Sequence, residues 1–89
     1  MNIDRLTEIY GESIARVIYD NIDNFTANIK YLESRGYYNV LDLVSLYPYS
    51  FIQEEDEFME KVDTLIDKLG IDYVEKINNN YELWGDVDV

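Results

Sequence analysis

Apolar residues recur at helical spacing along most of the chain. The plainest stripe is Phe58, Val62, Leu65, Ile66 and Leu69, which predicts a helix from about Glu54 to Leu69. Its first turn carries Glu54, Glu55, Asp56 and Glu57, which suit the positive end of a helix dipole. Lys68 falls in the last turn, and Gly70 is placed to end the helix. Phe25, Ile29 and Leu32 predict a second helix from about Asp23 to Arg35, closed by Gly36. Val40, Leu41, Leu43, Val44 and Leu46 predict a third, with all five side chains inward. Asn39 is its N-cap and Pro48 forces its end.

A fourth helix is expected from Asp72 to Asn78, with Asp72 as cap and Val74 and Ile77 in the core. Asn78-Asn79-Asn80 reads as a frayed turn. Glu82-Leu83-Trp84 adds a last turn, with Trp84 folded back on the body. The N-terminal part divides at Gly11 into a helix at Ile3–Tyr10 and another at Ser13–Tyr19, with Ile14, Val17 and Ile18 inward. No stretch has the composition of a linker, so residues 1–89 are read as one domain.

Sliding the chain along itself until Leu32 falls on Ile66 also aligns Glu33 with Asp67, Gly36 with Gly70, Val40 with Val74, Leu43 with Ile77 and Tyr47 with Tyr81. A period of that size belongs to helical arrays, whose units bury their faces on each other. Chance matches between amphipathic helices produce similar alignments. The expected fold is therefore all-α, with five to six short helices, either as an array of two to three repeats or as an irregular bundle.

Composition narrows the chemistry. The chain has no cysteine and no histidine, which removes disulfides, thiolate nucleophiles, the commonest general base and the commonest transition-metal ligand. Ser13, Ser34, Ser45 and Ser50 have no histidine partner, there is no glycine-rich phosphate loop, and no stretch fits a calcium loop. The expectation is a protein that is not an enzyme and takes no cofactor. Nineteen acidic residues against seven basic ones give a net charge of −12, which repels nucleic-acid backbones and anionic membranes. No apolar run is long enough to span a bilayer. The opening Met1-Asn2-Ile3-Asp4-Arg5 does not read as a secretory signal, so the cytoplasm is the expected compartment.

The stretch Asn28-Ile29-Lys30-Tyr31-Leu32 to Gly36, the run Val40 to Pro48, and the series Phe58, Lys61, Val62, Leu65, Leu69 and Gly70 together resemble a known repeat. It is that of the mitochondrial transcription termination factor (mTERF) family, over roughly residues 28–84. The resemblance implies an all-α array of three-helix units. It would also imply nucleic-acid binding by a long, basic, curved surface. This chain has room for about two units and the opposite charge, so no functional residue carries over.

Two features remain as candidate surfaces. Tyrosine is abundant, with nine residues. Tyr37, Tyr38, Tyr47 and Tyr49 lie at predicted helix ends and turns, where they, with Trp84, would form an apolar contact patch for a protein partner. The competing reading is that most of them close a small core. At about 100° per residue, Asp56, Glu60, Asp63 and Asp67 fall on one line of the predicted Glu54–Leu69 helix, away from its apolar stripe. That ridge could imitate a phosphate backbone, or it could be an ordinary solvated face. The functions to weigh are a non-catalytic, regulatory protein-interaction module, an acidic nucleic-acid mimic that inhibits a DNA- or RNA-binding protein, and direct nucleic-acid binding. Nothing in the sequence sets the oligomeric state.

Overall fold

A computed structural model of the chain describes residues 3–88, with side chains from residue 7 to residue 88. The described residues are helical along most of their length and contain no strand. They form α1 (Ile3–Tyr10), α2 (Glu12–Asp20), α3 (Ile22–Ser34), α4 (Val40–Leu46), α5 (Glu55–Leu69), α6 (Tyr73–Asn79) and α7 (Gly85–Asp88). Two 3-10 turns, Pro48–Ile52 and Tyr81–Trp84, follow α4 and α6. The all-α expectation holds, although the number of elements is higher than five or six. The extra pieces are single turns, too short to show a 3.6-residue period.

One order of elements occurs twice. A long helix (α3 or α5) ends at a glycine in the left-handed region (Gly36, φ 97; Gly70, φ 87), and a seven-residue helix (α4 or α6) and a 3-10 turn follow. Only glycine adopts this φ cheaply, and it lets the chain reverse directly after the last helical residue. At the first turn the Gly36 N–H donates to the Glu33 carbonyl (3.0 Å) and the Tyr37 N–H to the Leu32 carbonyl (3.2 Å), which satisfies the helix end.

Positions related by the alignment of Leu32 with Ile66 also touch. Tyr47 donates through its hydroxyl to the Tyr81 carbonyl (3.2 Å). Trp84 Nε1 donates to Ser50 Oγ (3.0 Å), and Gln53 Nε2 donates to the Val87 carbonyl (2.7 Å). The Tyr10 hydroxyl bonds the Val44 carbonyl in the same way.

A single core joins these elements. Ala15, Ile18, Phe25, Leu32, Val40, Leu43, Val44, Phe51, Phe58, Val62, Leu65, Ile77, Trp84 and Val87 are buried together. At its centre Trp84 stacks on Phe51 (5.6 Å between ring centroids, 14° between planes) and meets Phe58 edge-on at 6.1 Å. Asn28 is buried beside this aromatic group. Its amide donates to the carbonyls of Phe51 (2.9 Å) and Gln53 (2.8 Å), which tie the first 3-10 turn to α3.

Several expectations about side-chain direction need correction. In α4, Val40, Leu43 and Val44 are buried as expected, but Leu41 and Leu46 point outward. A helix this short cannot turn five apolar side chains to one side at about 100° per step. Asn39 and Asp72 hold the N-cap positions, yet neither side chain caps its helix. Asn39 instead reaches across to Asn78 Oδ1 (2.9 Å). Asn78 and Asn79 belong to α6 rather than to a frayed turn.

Candidate interaction surface

The five aromatic residues expected to form a contact patch separate into two groups. Tyr37 and Trp84 are in the core, each only 1% exposed, so neither can belong to a surface patch. Tyr37 lies against Tyr73 (6.3 Å) and donates its hydroxyl to Asn78 Oδ1 (2.7 Å). Burial pushes its phenol well above the ordinary value. Trp84 does fold back on the body, as expected, but as a core residue. Tyr47 is half-buried, with its ring on the core and its hydroxyl on the Tyr81 carbonyl. Tyr38 and Tyr49 are the exposed pair, at 77% and 52%. Tyr38 stacks on Tyr37 and accepts a hydrogen bond from Asn78 Nδ2 (3.1 Å), which ties it to α6.

Between those two tyrosines lies the outward side of α4. Leu41 is 59% exposed and Leu46 is 55% exposed, with Asp42 and Ser45 beside them. The corresponding positions in and just after α6, under the same alignment, are Glu75, Lys76, Asn79 and Asn80. The same scaffold thus carries Leu41 where α6 has Glu75, and Leu46 where Asn80 follows α6. Tyr38 likewise stands where Asp72 does. Sequence reasoning missed the two leucines because an apolar residue in a short apolar helix reads as core. Comparing Leu41 and Leu46 with the aligned Glu75 and Asn80 would have found them.

Other exposed apolar residues are more scattered. Ile71 is almost wholly exposed in the Gly70 turn, and Ile9, Tyr19 and Met59 stand on α1, α2 and α5. Isolated exposed apolar residues are ordinary on a protein surface.

The acidic line on α5 is interrupted. Asp63 accepts from Arg35 Nη1 at 2.8 Å and from the Tyr31 hydroxyl, and Arg35 also donates to the Tyr31 hydroxyl at 3.2 Å. Burial, the Asp63 contact and its charge together raise the Tyr31 phenol, against the pull of Arg35. This group joins α3 to α5, and Tyr73 adds α6 by donating to the Arg35 carbonyl. Asp56, Glu60 and Asp67 stay exposed, and none is in an ion pair among the described residues.

Several of the described basic residues bond within the chain. Arg16 pairs with Glu12 at 3.7 Å and Lys68 with Asp86 at 3.2 Å, while Lys76 donates to the Leu69 carbonyl and Lys61 to Gln53 Oε1. A cleft of about 300 Å³ between α5 and α7 mixes Glu57, Glu60 and Asp86 with Lys61 and Lys68 around Leu65. Among the described residues no group of three or more acidic side chains is placed to hold a metal ion, and no helix is long and apolar enough to cross a membrane. No protein-family model, curated protein or solved structure matches the chain.

Proposed function

We propose that this chain is a non-catalytic protein-interaction module, regulatory in kind, whose contact surface is the outward side of α4. The carrying observation is the contrast between α4 and α6. Two helices of equal length follow the same kind of glycine turn, and their outward positions correspond one to one when Gly36 is laid on Gly70. In and just after α6 those positions are polar. In α4 they include Leu41 and Leu46, bracketed by the exposed Tyr38 and Tyr49. The outward side of α6 has no leucine at the corresponding positions. Buried on a partner, a large apolar side chain contributes about 1.5–3 kcal/mol.

The acidic-mimic reading rests on a line of four carboxylates, and the Arg35 guanidinium takes Asp63 out of that line. The remaining reading is the nucleic-acid binding that the resemblance implies. That function would need a basic surface, and among the described residues Arg16, Arg35 and Lys68 are each paired with a carboxylate. Both readings therefore rank behind the α4 face.

The deciding experiment replaces Tyr38→Ser, Leu41→Glu, Leu46→Asn and Tyr49→Ser together and captures partners from the native host. Loss of the captured partner with an unchanged helical circular-dichroism spectrum supports the proposal, and full retention refutes it. If binding instead disappears with Asp56→Asn, Glu60→Gln and Asp67→Asn, and weakens steeply with salt, the acidic surface is the functional one.

A further inference from the structure

We infer that the α4 face docks a basic amphipathic helix of a partner protein. This rests on the proposed contact face and names what would cover it. From Gly36 to Glu60 the chain contains no Lys or Arg, yet it contains Asp42, Glu54, Glu55, Asp56, Glu57 and Glu60. That cation-free stretch is the same one that carries Tyr38, Leu41, Leu46 and Tyr49. By helix geometry Asp42 lies within the arc between Leu41 and Leu46, about 100° from one and about 40° from the other. The acids at the start of α5 follow directly on the 3-10 turn that holds Tyr49. This stretch therefore combines exposed apolar side chains with negative charge and carries no cation of its own, and its complement pairs apolar side chains with positive charge.

Two alternatives fit less well. A second copy of this chain would bring another −12 and the same cation-free stretch against this face, so like charges would meet. A peptide that adds as a β-strand needs a sheet edge for main-chain pairing, and the described residues contain no strand. Side chains on a helix meet side chains on α4 without that requirement. At about 1.5 Å per residue the seven residues of α4 span about 10 Å, which two turns of a partner helix cover.

The test is fluorescence anisotropy with labelled synthetic peptides of about 18 residues, or five helical turns. One peptide is a Leu/Lys amphipathic helix, one a scramble of the same composition, one a Leu/Glu helix and one a Lys-containing proline-rich peptide. The Leu/Lys helix should bind the full chain at least about tenfold more tightly than the other three, and should weaken at least about tenfold between about 50 and 500 mM NaCl. Leu41→Glu with Leu46→Asn should cost at least about tenfold in affinity. That variant adds negative charge, so non-specific attraction to lysine would rise rather than fall. Asp42→Asn should weaken binding by about two- to fivefold, and Asp20→Asn with Asp23→Asn, far along the chain, by less than about twofold.

Equal binding by the scrambled, Leu/Glu or proline-rich peptide overturns the inference, as does full affinity in the Leu41→Glu/Leu46→Asn variant. A wrong occupant and a wrong face give different results. If host-partner capture is lost on changing the face but the Leu/Lys helix does not bind, the occupant is wrong and the contact face stands. If capture survives the change, the face itself falls.

Discussion

The segments 22–52 and 55–84 are built in the same order and differ in what they show to solvent. Each has a long helix, a left-handed glycine, a seven-residue helix and a 3-10 turn. Inward positions correspond in kind: Val40 and Val74 pack on the core, as do Leu43 and Ile77, and Tyr47 and Tyr81. Outward positions do not, since Leu41 and Leu46 replace Glu75 and Asn80. Inward positions are constrained by packing, where a lost methylene is felt. Outward ones vary at little energetic cost, so the fold itself does not dictate what stands there.

The comparison can be broken most severely where the two segments meet. Trp84 belongs to the second and stacks on Phe51 of the first. Trp84→Ala should destabilise the protein by about 3–5 kcal/mol in a denaturant titration, since it empties a fully buried site between layers. A smaller loss would show that the segments hold together without this contact.

The next largest effect probes a place where the inward positions differ. Asn28 in α3 corresponds to Val62 in α5, and both are buried. Asn28→Val would make the first segment resemble the second, but it leaves the Phe51 and Gln53 carbonyls without their donor. The expected cost is about 1–3 kcal/mol, measured in the same way. The glycine turns sharpen the likeness instead. Gly36→Ala and Gly70→Ala should each cost about 1–2 kcal/mol, because both residues sit at positive φ. Their costs should agree, because an added Cβ meets only ordinary contact at Gly36 (3.9 Å from the Tyr73 hydroxyl) and open space at Gly70.

Alkaline titration probes the buried phenols. Burial raises Tyr37, Tyr73 and Tyr10 above the ordinary value of 10.0. Below that pH both the folded and unfolded chains keep these protons. Above it the unfolded chain releases protons that the folded chain still holds, so stability falls as pH rises past about 10. Denaturant midpoints measured from about pH 8 to about pH 11 should decline only over the upper part of that range. The smallest stability effect belongs to the outward face. Leu41→Glu with Leu46→Asn should shift stability by no more than about 0.5 kcal/mol, because exposed positions away from caps and core contacts contribute little.

The helices themselves were largely legible from the chain. Periodicity placed α3, α5 and α6 within one or two residues, because long amphipathic stripes and glycine stops are local properties. Side-chain direction was less legible. Tyr37 and Tyr38 are neighbours with the same side chain, and only the packing of Tyr73 and Asn78 against the Gly36 turn decides which is buried. Leu41 and Leu46 read as core because α4 is too short to reveal its own inward arc. The ridge on α5 was correct as helix geometry, since its four acids do share a side. What the chain alone could not show was Arg35 arriving from α3 to pair with Asp63, a partner far along the sequence.

The central claim is that α4, unlike α6, carries a contact surface. Its most direct test gives α4 the outward residues of α6, by Leu41→Glu, Asp42→Lys and Leu46→Asn, and follows partner capture and the denaturant midpoint in the same preparation. The account predicts that capture is lost while the midpoint moves by no more than about 0.5 kcal/mol equivalent. Undiminished capture by this folded variant would contradict it.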